Sequence, residues 1–180
     1  MQSKRPRAGA ILINPNYTHI LLVTGGCRKP TNPRRVTYTL PKGKIEPHEQ
    51  KAQAAHREVL EETGYDCDGL VNGDHCYEER KVGRQMITCY FVENVPLNYE
   101  FKAECPYEVN GHLFVPLHPS ALRRTGVILS ACVKAFLPGV RRFCQLKREE
   151  QQKQKEMPVK KKKRIRGGDR RGSEVWVPVV

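Results

Sequence analysis

Apolar residues fall along this chain in two rhythms, which predict a sheet domain organised around one helix. Ala8–Ile13 and His19–Thr24 are apolar, β-branched runs either side of Asn14-Pro15-Asn16, a turn signal, and read as a hairpin-like pair of strands. Val36–Leu40 is a further strand. Asp74–Lys81 and Arg84–Val95 read as two more around Val82-Gly83, the second apolar enough to lie centrally in a sheet. Pro96–Pro106 is an irregular connection, and Tyr107–Leu117 leads into another strand. His118-Pro119-Ser120 opens a helix at Ala121. Val127–Leu137 is a second helical pattern that turns its Val, Ile, Leu, Cys and Phe inward, with continuation past Pro138-Gly139 left open.

The helical rhythm is clearest over His48–Thr63, a run free of Gly and Pro and rich in good helix formers. Pro47 suits the first turn, Glu49 suits the positive N-terminal end, and Gly64 is a natural stop. Ala52, Ala55, Val59 and, slightly off that face, Leu60 form the expected inward stripe. Glu58, Glu61 and Glu62 stand at i, i+3 and i+4, so their carboxylates share one face. Like charges so placed repel by about 0.2–0.5 kcal/mol per pair. The geometry alone leaves two readings, a solvated acidic face or a site for a hard cation such as Mg²⁺.

Composition narrows the class. The chain of 180 residues carries a formal net charge of +13, which favours polyanionic partners. No apolar run approaches the roughly 18 residues of a membrane span, and the N-terminus lacks the apolar core of a signal peptide. Seven cysteines, at 27, 67, 76, 89, 105, 132 and 144, are scattered without a CxxC pair. They read as reduced thiols of a cytosolic or nuclear protein, not as a disulfide framework or zinc site. The segmentation expected is a basic arm over 1–7, a folded domain over 8–139, and a basic helical or disordered tail over 140–180. That last segment holds 14 Lys or Arg against 5 Asp or Glu.

The string from Gly43 to Tyr65, GKIEPHEQKAQAAHREVLEETGY, resolves the ambiguity of the acidic face. Gly-x5-Glu-x7-Arg-Glu-apolar-x-Glu-Glu-x-Gly-apolar is the signature of the Nudix hydrolases, and here it stands without a departure. At average composition such a string arises by chance in about one window in a billion. The resemblance covers roughly residues 8–137. It implies an α/β class fold, an α/β/α sandwich around a mixed β-sheet. It also implies cleavage of a pyrophosphate inside a nucleoside diphosphate linked to another group, with Mg²⁺ or Mn²⁺. Carried onto this chain, it assigns Glu58, Glu61 and Glu62 to the divalent metal, with the Gly43 carbonyl as a further ligand. Arg57 would orient the carboxylates through an ion pair involving Glu49.

Pyrophosphate hydrolysis also needs an activated water and a leaving group held in line. The stretch from Pro106 to Phe114, PYEVNGHLF, resembles the mRNA-decapping Nudix domains, where a glutamate before Ile or Val serves as base or extra ligand. That places Glu108 as the candidate base, with Glu104 and Glu79 behind it. Lys42 and Lys44 flank Gly43 where phosphates would lie, and Arg28, Arg34 and Arg35 stand in a loop that either faces substrate or is simply solvated. His48, His56 and His112 show no partner pattern and read as surface or core histidines.

Several stretches resemble the decapping branch, among them Leu40-Pro41-Lys42-Gly43-Lys44-Ile45 and Gly9-Ala10-Ile11-Leu12. The implied substrate is then the 5′ cap of RNA. One departure is that only seven residues precede the first strand, so control through an N-terminal activator-binding domain is not expected. Hydrolases of diadenosine or diphosphoinositol polyphosphates are the alternative. A non-catalytic RNA-binding relative is a third reading, but such relatives typically lose box glutamates that this chain retains. In the tail, Lys160, Lys161, Lys162, Lys163 and Arg164 resemble a nuclear import signal, and such clusters also grip RNA phosphates. An import receptor or an RNA 5′ end are therefore the expected partners, and the nucleus or cytoplasm the expected location.

Overall fold

The computed structural model describes residues 5–25, 36–71 and 77–156. In chain order the elements are β1 (Arg7–Leu12), β2 (His19–Gly25), β3 (Thr37–Thr39), β4 (Lys42–Lys44), α1 (Lys51–Thr63), β5 (Tyr77–Val82), β6 (Gln85–Val92), β7 (Val109–Pro116), α2 (Pro119–Arg124), β8 (Ile128–Leu129) and α3 (Ala131–Glu156). They form two mixed four-stranded sheets, ordered β4-β1-β6-β5 and β7-β2-β3-β8.

Both faces of β1 are apolar, and each meets its own core. Ala8, Ala10 and Leu12 lie under Ala54, Ala55 and Val59 of α1, with Tyr90 and Val92 of β6 beside them. Ile11 and Ile13 face the other way, with Ile87, Cys89 and Phe91, onto Val133, Phe136, Leu137, Val140 and Cys144 of α3 and onto Ile20 and Leu22 of the second sheet. The result is helix, sheet and helix in layers, as the signature implied, with the second sheet alongside. Gly9 sits where β1 crosses β4: a Cβ there would meet the Pro41 carbonyl oxygen at 2.1 Å.

Three expectations change. The runs before and after Asn14 do not form a hairpin. One bridge, Ile13↔Ile20, joins them, and they then part into different sheets. The Asn14 side chain turns the chain, its Oδ1 accepting the N–H groups of Thr18 and His19 at 2.8 Å each. Strand β1 instead takes β6 as a parallel partner and β4 as an antiparallel one, a pairing that buries both of its faces.

The helix of the signature starts at Lys51, not His48, because His48 adopts φ 67° and Glu49 closes a turn onto the Glu46 carbonyl. Ala54 is fully buried with Ala55 and Val59, and Ala52 packs half-buried against the same core, as expected of the inward stripe. Val127–Leu137 is not one helix. Ile128 and Leu129 pair with Thr37 and Tyr38 as β8, and α3 begins only at Ala131. It then runs through Pro138 to Glu156, so the boundary drawn at 139/140 falls inside a helix. Val140 and Cys144 continue its buried stripe, which outweighs the backbone hydrogen bond lost at proline. Arg148 and Gln151 reach back to the carbonyls of Tyr17 and Pro15.

Candidate active site

The C-terminal half of α1 carries the acidic face, and Arg57 organises it. Its Nε donates to Glu49 Oε1 at 2.8 Å and its Nη2 to Glu49 Oε2 at 3.0 Å and to the Lys44 carbonyl at 2.9 Å. Nη1 donates to Glu58 Oε1 at 2.9 Å and to Glu61 Oε2 at 3.2 Å. A guanidinium has five N–H donors in a rigid fork, and all five are engaged. The Glu49 carboxyl is held below its ordinary value by the Arg57 hydrogen bonds, and Arg57 is held above its own chiefly by Glu49.

The remaining carboxylates are poorly compensated. Burial pushes Glu58 up despite Arg57. Glu62 is pushed up to about 7, first by burial, against the opposing effect of Lys42, with the nearby charges of Glu58 and Glu108 adding to the rise. Its Oε2 accepts the Lys42 backbone N–H at 3.0 Å. Gly43, in β4, leaves the space that Glu58 fills: a Cβ there would stand 1.9 Å from the Glu58 carboxylate.

A cleft opens beside this helix, lined by Glu61, Glu62, Glu104, Cys105, Glu108 and Val109. The turn bearing Glu108 is closed by the Glu108 and Val109 N–H groups donating to the Cys105 carbonyl at 3.0 and 3.2 Å. The structure thus brings Glu108 and Glu104 to the glutamates of the signature. It does not bring Glu79, which lies on β5, paired with Lys51 and accepting the Thr88 hydroxyl at 2.6 Å. The Lys42 ammonium is turned to Thr39 Oγ1 at 3.0 Å and the Leu40 carbonyl, while Lys44 is exposed beside Gly43. Arg28, Arg34, Arg35 and the run Lys160–Arg164 lie outside the described residues.

Two features were missed in the sequence. The 96–106 connection, read as irregular with only Glu104 singled out in it, supplies part of one wall of the cleft through Glu104 and Cys105. His112, read as a bystander, has its Nε2 2.7 Å from the Glu62 carbonyl oxygen. Only the positions of these residues on the far side of a cleft reveal them, and no local pattern encodes that.

Among the described residues no three acidic, His or Cys side chains close into a ready-made metal cage, since Arg57 bridges Glu58 and Glu61. What fits a divalent hard cation is the donor chemistry. Glu58, Glu61, Glu62 and Glu108 offer only carboxylate oxygens, and the burial and neighbouring carboxylates that push Glu62 up are what a bound cation would offset.

A family model described as the NUDIX domain matches residues 3–126. The "m7GpppN-mRNA hydrolase dcap-2" of Caenorhabditis elegans is 34% identical over 108 residues, covering 60% of this chain and 13% of that protein. The "mRNA decapping complex subunit 2" of Schizosaccharomyces pombe is 28% identical over 109 residues, covering 61% and 14%. The chain therefore spans about one seventh of the length of these relatives. A bifunctional NMN adenylyltransferase/ADP ribose pyrophosphatase from Francisella tularensis shares the fold at a TM-score of 0.61 and 19% identity, over 80% of this chain and 43% of that one.

Proposed function

The chain belongs to the NUDIX domain family, and on that footing we propose that it is a metal-dependent phosphoanhydride hydrolase that cleaves the 5′ cap of RNA. The observation that carries this reading is that one cleft is lined both by Glu61 and Glu62 of α1 and by Glu104 and Glu108. The decapping relatives supply the substrate class. Tyr107, 79% exposed next to Glu108, offers an aromatic face on which a nucleobase can stack.

Glu58, Glu61, Glu62 and the Gly43 carbonyl are the groups that would hold Mg²⁺ or Mn²⁺. Once bound, the cation supplies charge neutralisation at phosphorus and lowers the pKa of its water. Arg57 keeps Glu58 and Glu61 oriented while Glu49 holds the Arg57 guanidinium in place. Glu108 accepts the proton of the attacking water, a transfer its place across the cleft from Glu62 permits. Glu108→Gln is accordingly expected to lower kcat tenfold or more, about 1.4 kcal/mol of transition-state stabilisation. A change confined to KM would make Glu108 a binding residue.

The test of substrate is a panel of capped RNA, free cap dinucleotide, diadenosine polyphosphates and diphosphoinositol phosphates, each with Mg²⁺ and with Mn²⁺. Preference for capped RNA upholds the proposal, and preference for the small molecules replaces the substrate. The basic run near the C-terminus serves in this reading as an RNA tether or import address. Deleting 158–180 is expected to weaken RNA binding and flatten its salt dependence while sparing cleavage of a cap dinucleotide. Loss of dinucleotide cleavage as well would place the tail within the active domain.

A further inference from the structure

The last turn of α1 carries the glutamates on which the proposed chemistry depends, and the way that turn is closed has a consequence for the site. An α-helix leaves its final carbonyls without donors of its own. The Leu60 carbonyl takes the Gly64 N–H at 2.7 Å, with Gly64 at φ 67°. Every carbonyl from Glu61 to Gly64 is then met by a single stretch of chain, residues 99–112. The Glu104 N–H donates to the Glu61 carbonyl at 2.8 Å and the Lys102 N–H to that of Thr63 at 2.9 Å. The Tyr99 hydroxyl donates to the Gly64 carbonyl at 2.7 Å. The Glu62 carbonyl takes His112 Nε2, from β7, at 2.7 Å. A carbonyl oxygen only accepts, so this ring nitrogen carries the proton.

The arrangement brackets the turn that bears Glu108. Before that turn, the Glu104 backbone is bonded to the carbonyl of Glu61; after it, His112 is bonded to the carbonyl of Glu62. Both flanks of the wall opposite α1 are thereby tied to adjacent peptide units of the helix. Phe101 holds the imidazole in place, with ring centroids 5.7 Å apart and planes 28° from parallel, and Phe101 itself packs on Tyr99 and Phe114. The fit is close at the helix end, where a Cβ on Gly64 would stand 2.6 Å from the Lys102 carbonyl oxygen.

We propose that His112 is a positioning residue: by bonding the Glu62 carbonyl it fixes the last turn of α1 in register with the segment bearing Glu104 and Glu108, and so sets the carboxylates of Glu61 and Glu62 against the opposite wall. The other bonds to the carbonyls of Glu61, Thr63 and Gly64 come from two backbone N–H groups and a tyrosine hydroxyl, all on the near side of the Glu108 turn. His112 alone of these reaches it from the far side. The inference rests on the hydrolase reading above, and its test separates the two.

His112→Phe keeps an aromatic ring against Phe101 and removes the donor; His112→Gln keeps a side-chain N–H donor and removes the ring. In the full chain, the Phe variant is expected to lose tenfold or more in kcat and fivefold or more in Mn²⁺ affinity by titration calorimetry, with KM within twofold of wild type. The Gln variant is expected to stay within threefold of wild type in both kcat and Mn²⁺ affinity. Wild-type values in the Phe variant, or equal losses in both, overturn the proposal. If the wild type neither turns over substrate nor binds Mn²⁺, the hydrolase reading falls by itself. Amide deuterium exchange then still decides the role of His112. Faster exchange in the last turn of α1 for Phe but not for Gln upholds the clamp, and equal rates in all three proteins overturn it.

Discussion

Glu62→Gln is expected to abolish turnover, by a thousandfold or more (about 4 kcal/mol of transition-state stabilisation), and yet to make the metal-free protein harder to melt at pH 8. The first effect follows from removing a metal-binding charge while the amide keeps the shape and can still accept the Lys42 N–H. The second follows from linkage. The folded-state carboxyl sits at about 7, raised from an ordinary 4.5 chiefly by burial. Between those values the folded protein holds a proton that the unfolded chain has released. Stability contributed by this group is therefore fully present below pH 4.5 and is lost as pH rises to about 7. Above that, the buried charge costs the metal-free fold about 3 kcal/mol, a cost the amide does not carry.

Glu61→Gln is the control. Its side chain is 42% exposed, so this variant is expected to be equally inactive with no comparable gain in Tm. Melting curves with a chelator at pH 5 and pH 8, alongside turnover assays, read both effects. Unchanged activity in both variants would sink the mechanism, and a Glu62→Gln protein that melts no higher than wild type at pH 8 would sink the account of its burial.

Gly43→Ala is expected to cut kcat by a hundredfold or more while leaving the fold nearly intact. The added Cβ claims the place of the Glu58 carboxylate, 1.9 Å away, and that carboxylate is the free end of a side chain that can swing out. Doing so breaks its bond to Arg57 Nη1 and removes it from the acidic face. Gly9→Ala makes the instructive contrast. There the obstruction is the Pro41 carbonyl, part of the backbone, so the strand itself must shift, at about 1–3 kcal/mol of stability. Full activity in Gly43→Ala would mean that the position of Glu58 does not matter to catalysis.

The signature helix was legible because its meaning is local. Gly43, Glu49, Arg57 and the three glutamates lie within twenty residues, and a 3.6-residue period is enough to bring the carboxylates together. The Arg57–Glu49 contact expected from the signature is present in the fold. What could not be read was set by partners distant in sequence. Ile128 and Leu129 look like the start of a helix until Thr37 and Tyr38 claim them as a strand. Strand β1 looks like half of a hairpin until β6 offers it a partner that lets both its faces be buried. His112 has nothing in its sequence neighbourhood to mark it, because the group it serves is the backbone of a residue fifty positions earlier.

The separation of the first two strands into different sheets also dictates the order of assembly. Arg7–Leu12 finds its parallel partner only at Ile87–Val92, and His19–Gly25 its long antiparallel one at Val109–Pro116, while the nearby β4 and β3 offer them only short pairings. Neither sheet is completed by pairing strands that are neighbours in sequence, and pairings this distant along the chain fold slowly. At synthesis rates of about 5–20 residues per second, β1 and β2 emerge several seconds before β6 and β7, which cover most of their length. Mutations that weaken the closure of β2 on β7 are therefore expected to lower the yield of folded protein before they touch its specific activity.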